Sequence, residues 1–197
     1  MFNINQWCAH QDPREYLSTP FNFNEYTMAC NGNAIVAVPQ VDGHPDIKDS
    51  LRENIENLLN TNGLEFEKLP ADITLPELTR CKKCKGSTRI SIEKCKECEG
   101  EGEVSFENDH NSYECHCKGC DGDGELVHAG SGDFCDNCLG YGDTYDRSAY
   151  IEICNVIIDA KIARLLLEVD NLEVSGVDCK LYFRSASAKG VILGRSQ

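Results

Sequence analysis

Four Cys-x-x-Cys pairs within residues 81–138 constrain this chain more than any other feature of its sequence. A glycine stands two residues after each pair, and in three of the four a second glycine follows after one more residue. Pairs with this spacing bind metal ions more often than they form disulfides. The pairs begin at Cys81, Cys95, Cys117 and Cys135.

Two thiolates three residues apart can hold one tetrahedral Zn²⁺ from a tight turn, and two such turns complete a four-cysteine site. The eight cysteines therefore divide into two closed sites, which predicts two Zn²⁺ per chain. The glycine after each pair can adopt a positive φ, so that backbone N–H groups turn toward the sulfurs. A closed site has no open position for substrate water, which favours a structural role over catalysis.

The motifs CKKCKGST, CKECEGEG, CKGCDGDG and CDNCLGYG resemble the CxxCxGxG motifs in the cysteine-rich zinc domain of DnaJ cochaperones. The resemblance covers residues 79–145 and implies an extended β-hairpin in which the first motif pairs with the fourth and the second with the third. The implied ligands are Cys81, Cys84, Cys135 and Cys138 for one zinc, and Cys95, Cys98, Cys117 and Cys120 for the other. Thr88 departs from the pattern, because it stands where the second glycine of the first motif is expected.

The composition changes at both ends of this segment. Residues 81–142 hold ten of the 16 glycines and nine of the 13 cysteines, so they cannot build an apolar core unaided. The flanks carry the ordinary core residues. We therefore expect an α+β fold, in which residues 1–78 and 146–197 form one discontinuous domain with an antiparallel sheet and helices, interrupted by an inserted zinc domain of residues 79–145.

Local patterns predict the elements of the N-terminal flank. Asp12 and Pro13 are typical of the start of a short helix that ends near residue 18. The sequence Asn31-Gly32 lies between the β-prone runs 26–30 and 34–38 and predicts a tight hairpin. Apolar residues at helical spacing predict a second helix from Pro45 to about residue 60.

The C-terminal flank predicts the element order β-α-β-β-β. Residues 150–158 form an apolar, β-prone run, and Asp159 could cap a helix that extends to about Val169. Three short β-prone runs follow at residues 172–175, 180–184 and 191–193. The last two flank a segment of suitable length for a hairpin loop.

The charge distribution limits the kinds of partner. A formal charge of −14 disfavours nucleic-acid binding by the whole surface. One local cluster has the opposite sign and is a candidate for phosphate contact. This basic strip consists of Arg80, Lys82, Lys83, Lys85, Arg89, Lys94 and Lys96, opposed only by Glu93. From Glu97 to Glu125 there are ten acidic residues against Lys118 alone, so the segment is electrically polar.

Neither a membrane span nor a signal peptide is predicted. No apolar run approaches the roughly 18 residues that a spanning helix needs. The start of the sequence, MFNINQWCAHQDPREY, lacks the basic and then apolar order of a secretory signal. We expect a cytoplasmic protein without membrane contact.

The cysteines outside the four pairs fall into two groups. Cys8, Cys30, Cys154 and Cys179 lie mostly beside apolar residues and are expected to be small, buried core residues. Cys115 lies within the cysteine-rich segment next to His116. An imidazolium there would lower the pKa of the thiol, so Cys115 is a candidate for a reactive cysteine, and a spare zinc ligand is the alternative.

The flanks resemble two further families. His44-Pro45-Asp46 is the tripeptide by which J-domains stimulate their chaperone ATPase, although the preceding residues predict a hairpin, which favours a plain helix start at Pro45. The segments YTMACNGNAIVAVP and LYFRSASAKGVILG resemble the repeat unit of bacterial sliding clamps. That resemblance implies association with DNA through a homo-oligomer.

Three functions remain open. The first is a non-enzymatic, zinc-binding module that binds a protein partner as an adaptor or chaperone-like protein. The second is a phage-type DNA-associated or transcription-regulating protein, because Q-type antitermination proteins of phages also carry such cysteine pairs. The third is thiol-disulfide exchange through Cys115. The sequence contains no evident Ser-His-Asp set, phosphate loop or catalytic carboxylate pair and does not support an enzyme assignment.

Overall fold

The computed structural model describes residues 3–10 and 12–195. The fold is α+β and mostly antiparallel sheet, as the sequence predicts. The chain divides into two compact units. The first unit comprises the chain up to Thr79 and from Asp143 onward, and the second is Arg80–Gly142. Among the described residues, no helix is both long enough and apolar enough to cross a membrane.

The helical elements are short. They are a 3-10 turn at Ile4–Trp7, α1 at Glu15–Ser18, a 3-10 turn at Asp49–Leu51, α2 at Arg52–Leu58 and α3 at Ala160–Leu167. The strands are, in chain order, β1 Phe21–Phe23, β2 Tyr26–Cys30, β3 Ala34–Pro39, β4 Glu67–Lys68, β5 Thr79–Arg80, β6 Arg89–Lys94, β7 Glu103–Glu107, β8 Ser112–His116, β9 Glu125–Ala129, β10 Asp133–Phe134, β11 Asp143–Thr144, β12 Tyr150–Ile153, β13 Val156–Asp159, β14 Glu173–Val177, β15 Lys180–Arg184 and β16 Lys189–Leu193.

An antiparallel sheet organises the first unit. Within the described residues its strand order is β1-β2-β3-β16-β15-β14-β4. The predicted β2–β3 hairpin is confirmed, with Tyr26 opposite Pro39 and Cys30 opposite Ile35. The side-chain oxygen of Asn31 accepts the N–H groups of Asn33 and Ala34, and Gly32 has a φ of 88°, so the turn forms as its residue types require.

Side chains from the sheet and the N-terminal helices form the core of the first unit. Phe21, Met28 and Val191 are buried in one cluster with Ile47 and Ile55. Elsewhere in this unit, the buried Trp7 packs on Phe183, with ring centroids 5.6 Å apart. Gly190 must lack a side chain, because a Cβ there would overlap the ring of Phe183 and the carbonyl oxygen of Ile35.

The predicted helix start at Pro45 is wrong. The N–H of Asn22 donates to the carbonyl of Pro45 at 2.7 Å, and the carbonyl of Asn22 accepts the N–H of Ile47 at 3.0 Å. These bonds hold residues 45–47 extended beside β1, and the α-helix begins only at Arg52. The first helix is also shorter than predicted, because it begins at Glu15.

The run of residues 150–158 is not one strand but the hairpin β12–β13. Its turn is formed by Cys154 and Asn155, which have φ angles of 49° and 61°. The predicted cap of the next helix is confirmed, since the carboxylate of Asp159 accepts the N–H of Lys161 at 2.7 Å. This helix ends at Leu167, and the three predicted C-terminal strands all form.

The second unit is made of short β-ladders between cysteine motifs. Strand β6 pairs with β9 and with β10, and β7 pairs with β8. This arrangement places the first and fourth motifs at one end of the β6–β9 ladder and the second and third motifs at the other. Its buried apolar residue outside the cysteines is Ile90, as far as the structure describes the unit.

Candidate metal centres

The backbone of each cysteine motif is bonded to the backbone of a partner motif. The N–H of Cys81 donates to the carbonyl of Gly142 at 2.9 Å, and the N–H of Cys135 donates to the carbonyl of Thr88 at 2.9 Å. The second and third motifs repeat this reciprocal pattern through Cys95 and Cys117, whose N–H groups donate to the last residue of the partner motif at 2.9 and 2.8 Å. These bonds place two Cys-x-x-Cys turns face to face in each centre.

The structure brings the eight cysteines together as two groups of four. Within each group, all the sulfur atoms lie within 4.8 Å of one another. The groups are Cys81, Cys84, Cys135 and Cys138, and Cys95, Cys98, Cys117 and Cys120. These are the two sets that the resemblance to the DnaJ zinc domain implied.

The sulfur separations fit a tetrahedral metal site. Across the first group, the Sγ atoms of Cys81 and Cys135 are 3.8 Å apart and those of Cys84 and Cys138 are 3.6 Å apart. The corresponding separations in the second group are 3.8 and 3.7 Å. A tetrahedron of sulfurs about 2.3 Å from a central zinc has edges of about 3.8 Å. All eight thiols are at most 6% exposed, so each group is closed from solvent.

The turn after each cysteine pair uses two residues with positive φ, of which the sequence predicted only one. The expected glycines Gly86, Gly100, Gly122 and Gly140 have φ angles of 80–90°. The residues before them, Lys85, Glu99, Asp121 and Leu139, have φ angles of 52–56°. Lysine, glutamate and leucine give no signal for the left-handed region, and aspartate, which adopts it more often, occurs here in one motif only, which explains why the sequence did not reveal this position.

The second glycine of three motifs directs a backbone N–H to the sulfur of the second cysteine. Gly102 donates to Cys98 at 3.2 Å, Gly124 to Cys120 at 3.1 Å and Gly142 to Cys138 at 3.3 Å. The three glycines have φ angles between 74° and 85°. Thr88 occupies this position in the first motif and has a φ of 70°, a rare conformation for a β-branched residue.

Burial and hydrogen bonding act in opposite directions on the thiols. Burial opposes ionisation of Cys98, but hydrogen bonds from the N–H groups of Gly102 and Gly100, together with those from the thiols of Cys120 and Cys95, outweigh it and lower the pKa to about 7. At Cys81, burial is likewise outweighed by the N–H of Cys84 and by the side-chain amide of Asn137, so its pKa is also lowered to about 7.

Other thiols of the two centres are harder to ionise. Burial raises the pKa of Cys117 to about 11, and it also raises the pKa values of Cys135 and Cys138. A bound cation would reverse this effect, because a coordinated thiol is deprotonated. The four sulfur atoms of each group are therefore better suited to binding a divalent metal than to remaining four neutral thiols.

Two residues between the cysteines of the fourth motif support the first centre. The amide nitrogen of Asn137 donates to the Sγ of Cys81 at 3.2 Å. Asp136 forms an ion pair with Lys83 of the first motif, with 2.9 Å between Oδ1 and Nζ. Both contacts help to orient the cysteine ligands. Neither was predicted, because the residue types at these two positions differ between the four motifs and the contacts depend on which motifs pair.

Cys115 and His116 do not form the pair that their adjacency suggested. They are successive residues of β8, so their side chains point to opposite faces of the ribbon. The thiol of Cys115 donates to the carbonyl of Val104, whereas His116 lies 3.8 Å from a carboxylate oxygen of Glu103. Among the described residues, neither four-cysteine group includes Cys115.

The cysteines outside the segment have different degrees of burial. Cys8 is buried as predicted, and Cys30 and Cys154 are half-buried. The prediction of burial is wrong for Cys179, which is exposed in the turn between β14 and β15. The turn explains the difference, because a hairpin connection lies at the surface.

Comparisons of the chain with protein-family models, with curated proteins and with solved structures gave no match. The functional argument therefore depends on the two centres and on the surfaces around them. The two buried four-cysteine groups indicate metal binding.

Proposed function

We propose that this chain is a non-enzymatic, zinc-binding protein-interaction module, with one Zn²⁺ in each four-cysteine centre. The observation that carries the proposal is the pair of buried groups, in which the sulfurs stand at tetrahedral separations. Four sulfur ligands in this geometry suit zinc or iron, and zinc is the usual ion of closed sites built from Cys-x-x-Cys turns. Four protein ligands complete its coordination, so the zinc stabilises the fold.

The adaptor or chaperone-like role is supported by the way the second unit is built. The CxxCxGxG motifs resemble those of DnaJ cochaperones, and the pairing of the motifs follows the order that this resemblance implies. The centres hold the strands between the motifs in place while most side chains of those strands stay exposed. Such a scaffold presents strands to another protein rather than enclosing a reaction.

Metal analysis combined with thiol titration tests the zinc centres. We expect two Zn²⁺ per chain, and the eight clustered thiols should resist alkylation until a chelator removes the metal. Cys84→Ser should lower the zinc content by about one per chain, because Cys84 is fully buried in the first centre. Cys179→Ser is the matched control, since Cys179 is exposed and outside both groups. Iron in place of zinc, or disulfides among the eight cysteines, would contradict the proposal.

Nucleic-acid binding is the second candidate function, and the exposure of part of the basic strip favours it. Lys82, Lys85, Lys94 and Lys96 are exposed. The other three cations make contacts within the unit. Lys83 pairs with Asp136, Arg89 donates to the carbonyl of Gly132, and Arg80 donates to the carbonyl of Lys85. Salt-dependent binding of a labelled duplex that is lost on changing Lys82, Lys85 and Lys94 to Gln would support this function.

A further inference from the structure

The β7–β8 ribbon has two chemically different faces. In its register, Val104 lies opposite Cys115 and Phe106 lies opposite Tyr113. Because side chains alternate along a strand, these four share one face, which carries no ionisable carboxylate. The residues of the other face are Glu103, Ser105, Glu107, Ser112, Glu114 and His116.

The aromatic pair at the far end of this ribbon is open to solvent. Phe106 is 63% exposed and Tyr113 is 56% exposed, which are the largest values among the exposed large hydrophobic residues that the structure describes. The two rings stand on neighbouring strands at the same register position. Adjacent exposed aromatic side chains are typical of the anchors of protein interfaces.

The backbone of the ribbon is also available to a partner. In the described part of the chain, β7 and β8 form a sheet of two strands, so each of them has an edge without a neighbouring strand. A strand edge can accept an extended polypeptide by backbone hydrogen bonding, and alternate side chains of that polypeptide then contact one face.

The negative charge of the ribbon favours a basic polypeptide as the partner. The carboxylates of Glu103, Glu107 and Glu114 lie on the face behind the aromatic pair, within a stretch that has ten acids and one lysine. A basic segment would be attracted to this region, whereas a second copy of the ribbon would place carboxylates beside carboxylates. Polyanionic nucleic acid would be repelled for the same reason.

We propose that the β7–β8 ribbon is a docking site for an extended, basic segment of a partner protein. The segment adds to an edge of the ribbon as a further strand, places alternate apolar side chains on Phe106 and Tyr113, and directs Lys or Arg side chains to the acidic face. This inference rests on the proposed function, because it names the surface and the partner class of the interaction module.

The test uses the full chain and a fluorescent peptide in which Phe and Val alternate with Lys, with binding followed by anisotropy. Phe106→Ser combined with Tyr113→Ser should weaken binding at least about tenfold, as expected for the loss of interface anchors. Val127→Ser is the matched control, because Val127 is an exposed apolar residue on β9 of the same unit and should leave the affinity unchanged.

Two further comparisons test the contribution of the acidic face and that of backbone hydrogen bonding separately. Glu107→Gln combined with Glu114→Gln should weaken binding and reduce its salt dependence, since it removes charge and keeps the aromatic pair. A peptide with prolines in both alternating sets of positions should fail to bind, because neither edge of the extended segment could then donate its N–H groups to the ribbon.

The zinc content of every variant distinguishes the two proposals. Two zincs per chain with no difference between the aromatic variant and the control would overturn the docking site and leave the proposed function standing. A chain without zinc would overturn the proposed function itself. A dimer that dissociates in the aromatic variant would overturn the proposal of a basic peptide and show that a second copy of the chain binds to the ribbon. Binding of a single-stranded oligonucleotide through Phe106 and Tyr113 would overturn it as well and show that the ligand is nucleic acid.

Discussion

In the first cysteine motif, Thr88 has a strained backbone conformation, whereas glycine adopts the same conformation without strain in the other three motifs. The corresponding positions are Gly102, Gly124 and Gly142, and all four residues have a positive φ. Threonine is β-branched and rarely adopts this region, so its conformation is imposed by the surrounding turn. The carbonyl of Thr88 accepts the N–H of Cys135, which fixes the residue within the first centre.

We predict that Thr88→Gly stabilises the second unit by about 1 kcal/mol, because glycine adopts this φ without strain. The gain should appear as a higher urea midpoint of the zinc-loaded chain and as slower zinc transfer to a chelator. The reverse change in the fourth motif, Gly142→Thr, should lower the urea midpoint and speed zinc transfer. A Cβ at residue 142 would lie 2.9 Å from the carbonyl oxygen of Gly86. A loss of stability in Thr88→Gly would show that the side chain contributes more than its strain costs.

At the scale of elements, Asp159 caps the N-terminus of α3. Asp159 ends β13 and accepts the N–H of Lys161, and the helix that follows buries Ile162, Leu165 and Leu166. We predict that Asp159→Ala lowers the free energy of unfolding of the first unit by about 1 kcal/mol, measured by urea denaturation. Asp170→Ala is the matched control, since Asp170 is an exposed acid beyond the end of the same helix. Equal effects of the two changes would contradict a capping role.

Elements that are specified by adjacent residues could be predicted from the sequence. The Asn31-Gly32 turn, the Asp159 cap and the Cys-x-x-Cys-x-Gly turns each depend on residues that are close in the chain. Their residue types restrict the backbone directly, because they supply a positive φ or a local hydrogen-bond acceptor. The membership of the two four-cysteine groups came from the resemblance, since spacing alone leaves the pairing of the motifs open.

Elements that depend on distant partners could not be predicted in the same way. The apolar spacing after Pro45 is helical, yet Asn22 holds residues 45–47 extended through two backbone bonds. The β12–β13 turn places Cys154 and Asn155 at positive φ within a run of apolar residues that otherwise favours one strand. In both places a tertiary contact or an uncommon turn outweighed the local pattern. The contacts of Asn137 and Asp136 were missed for the same reason, because they depend on the pairing of two motifs.

At the scale of the whole molecule, metal binding couples the chain to pH. Cys81 and Cys98 have pKa values of about 7, whereas burial holds the pKa of Cys117 near 11 and raises those of Cys135 and Cys138. Because zinc binds thiolates, its binding releases protons from the thiols that are still protonated. The metal-free second unit lacks this folded environment, so its thiols return to the ordinary cysteine pKa of about 8.5, and acidification weakens binding throughout the range below about pH 8.

We predict that the apparent zinc affinity falls continuously as the pH is lowered from about 8 to about 6, because the thiols of the metal-free unit are mostly protonated in this interval. Competition titrations with a chromophoric chelator of known pH dependence measure the affinity. Calorimetry in two buffers with different ionisation enthalpies measures the released protons. An affinity that does not change with pH would contradict thiolate ligation.

The two units should respond differently when the metal is removed. The first unit has its own apolar core, which includes Phe21, Met28 and Val191. In the second, Ile90 is buried among cysteines, with Ile92, Val104 and Leu126 partly buried against the two groups. This small apolar core cannot offset the loss of conformational entropy when more than 60 residues become ordered. We therefore expect the folding of this unit to require the metal.

We predict that chelation under reducing conditions unfolds Arg80–Gly142 and leaves the antiparallel sheet of the first unit folded. Hydrogen exchange measured by mass spectrometry should show β6 and β9 exchanging at the rate of an unfolded chain, while β3, β15 and β16 keep their protection. Restoring zinc should restore protection in the second unit, which separates metal loss from irreversible damage. Exchange that rises together in both units would mean that the chain unfolds as one cooperative body, and the zinc centres would then stabilise the whole molecule rather than the inserted segment alone.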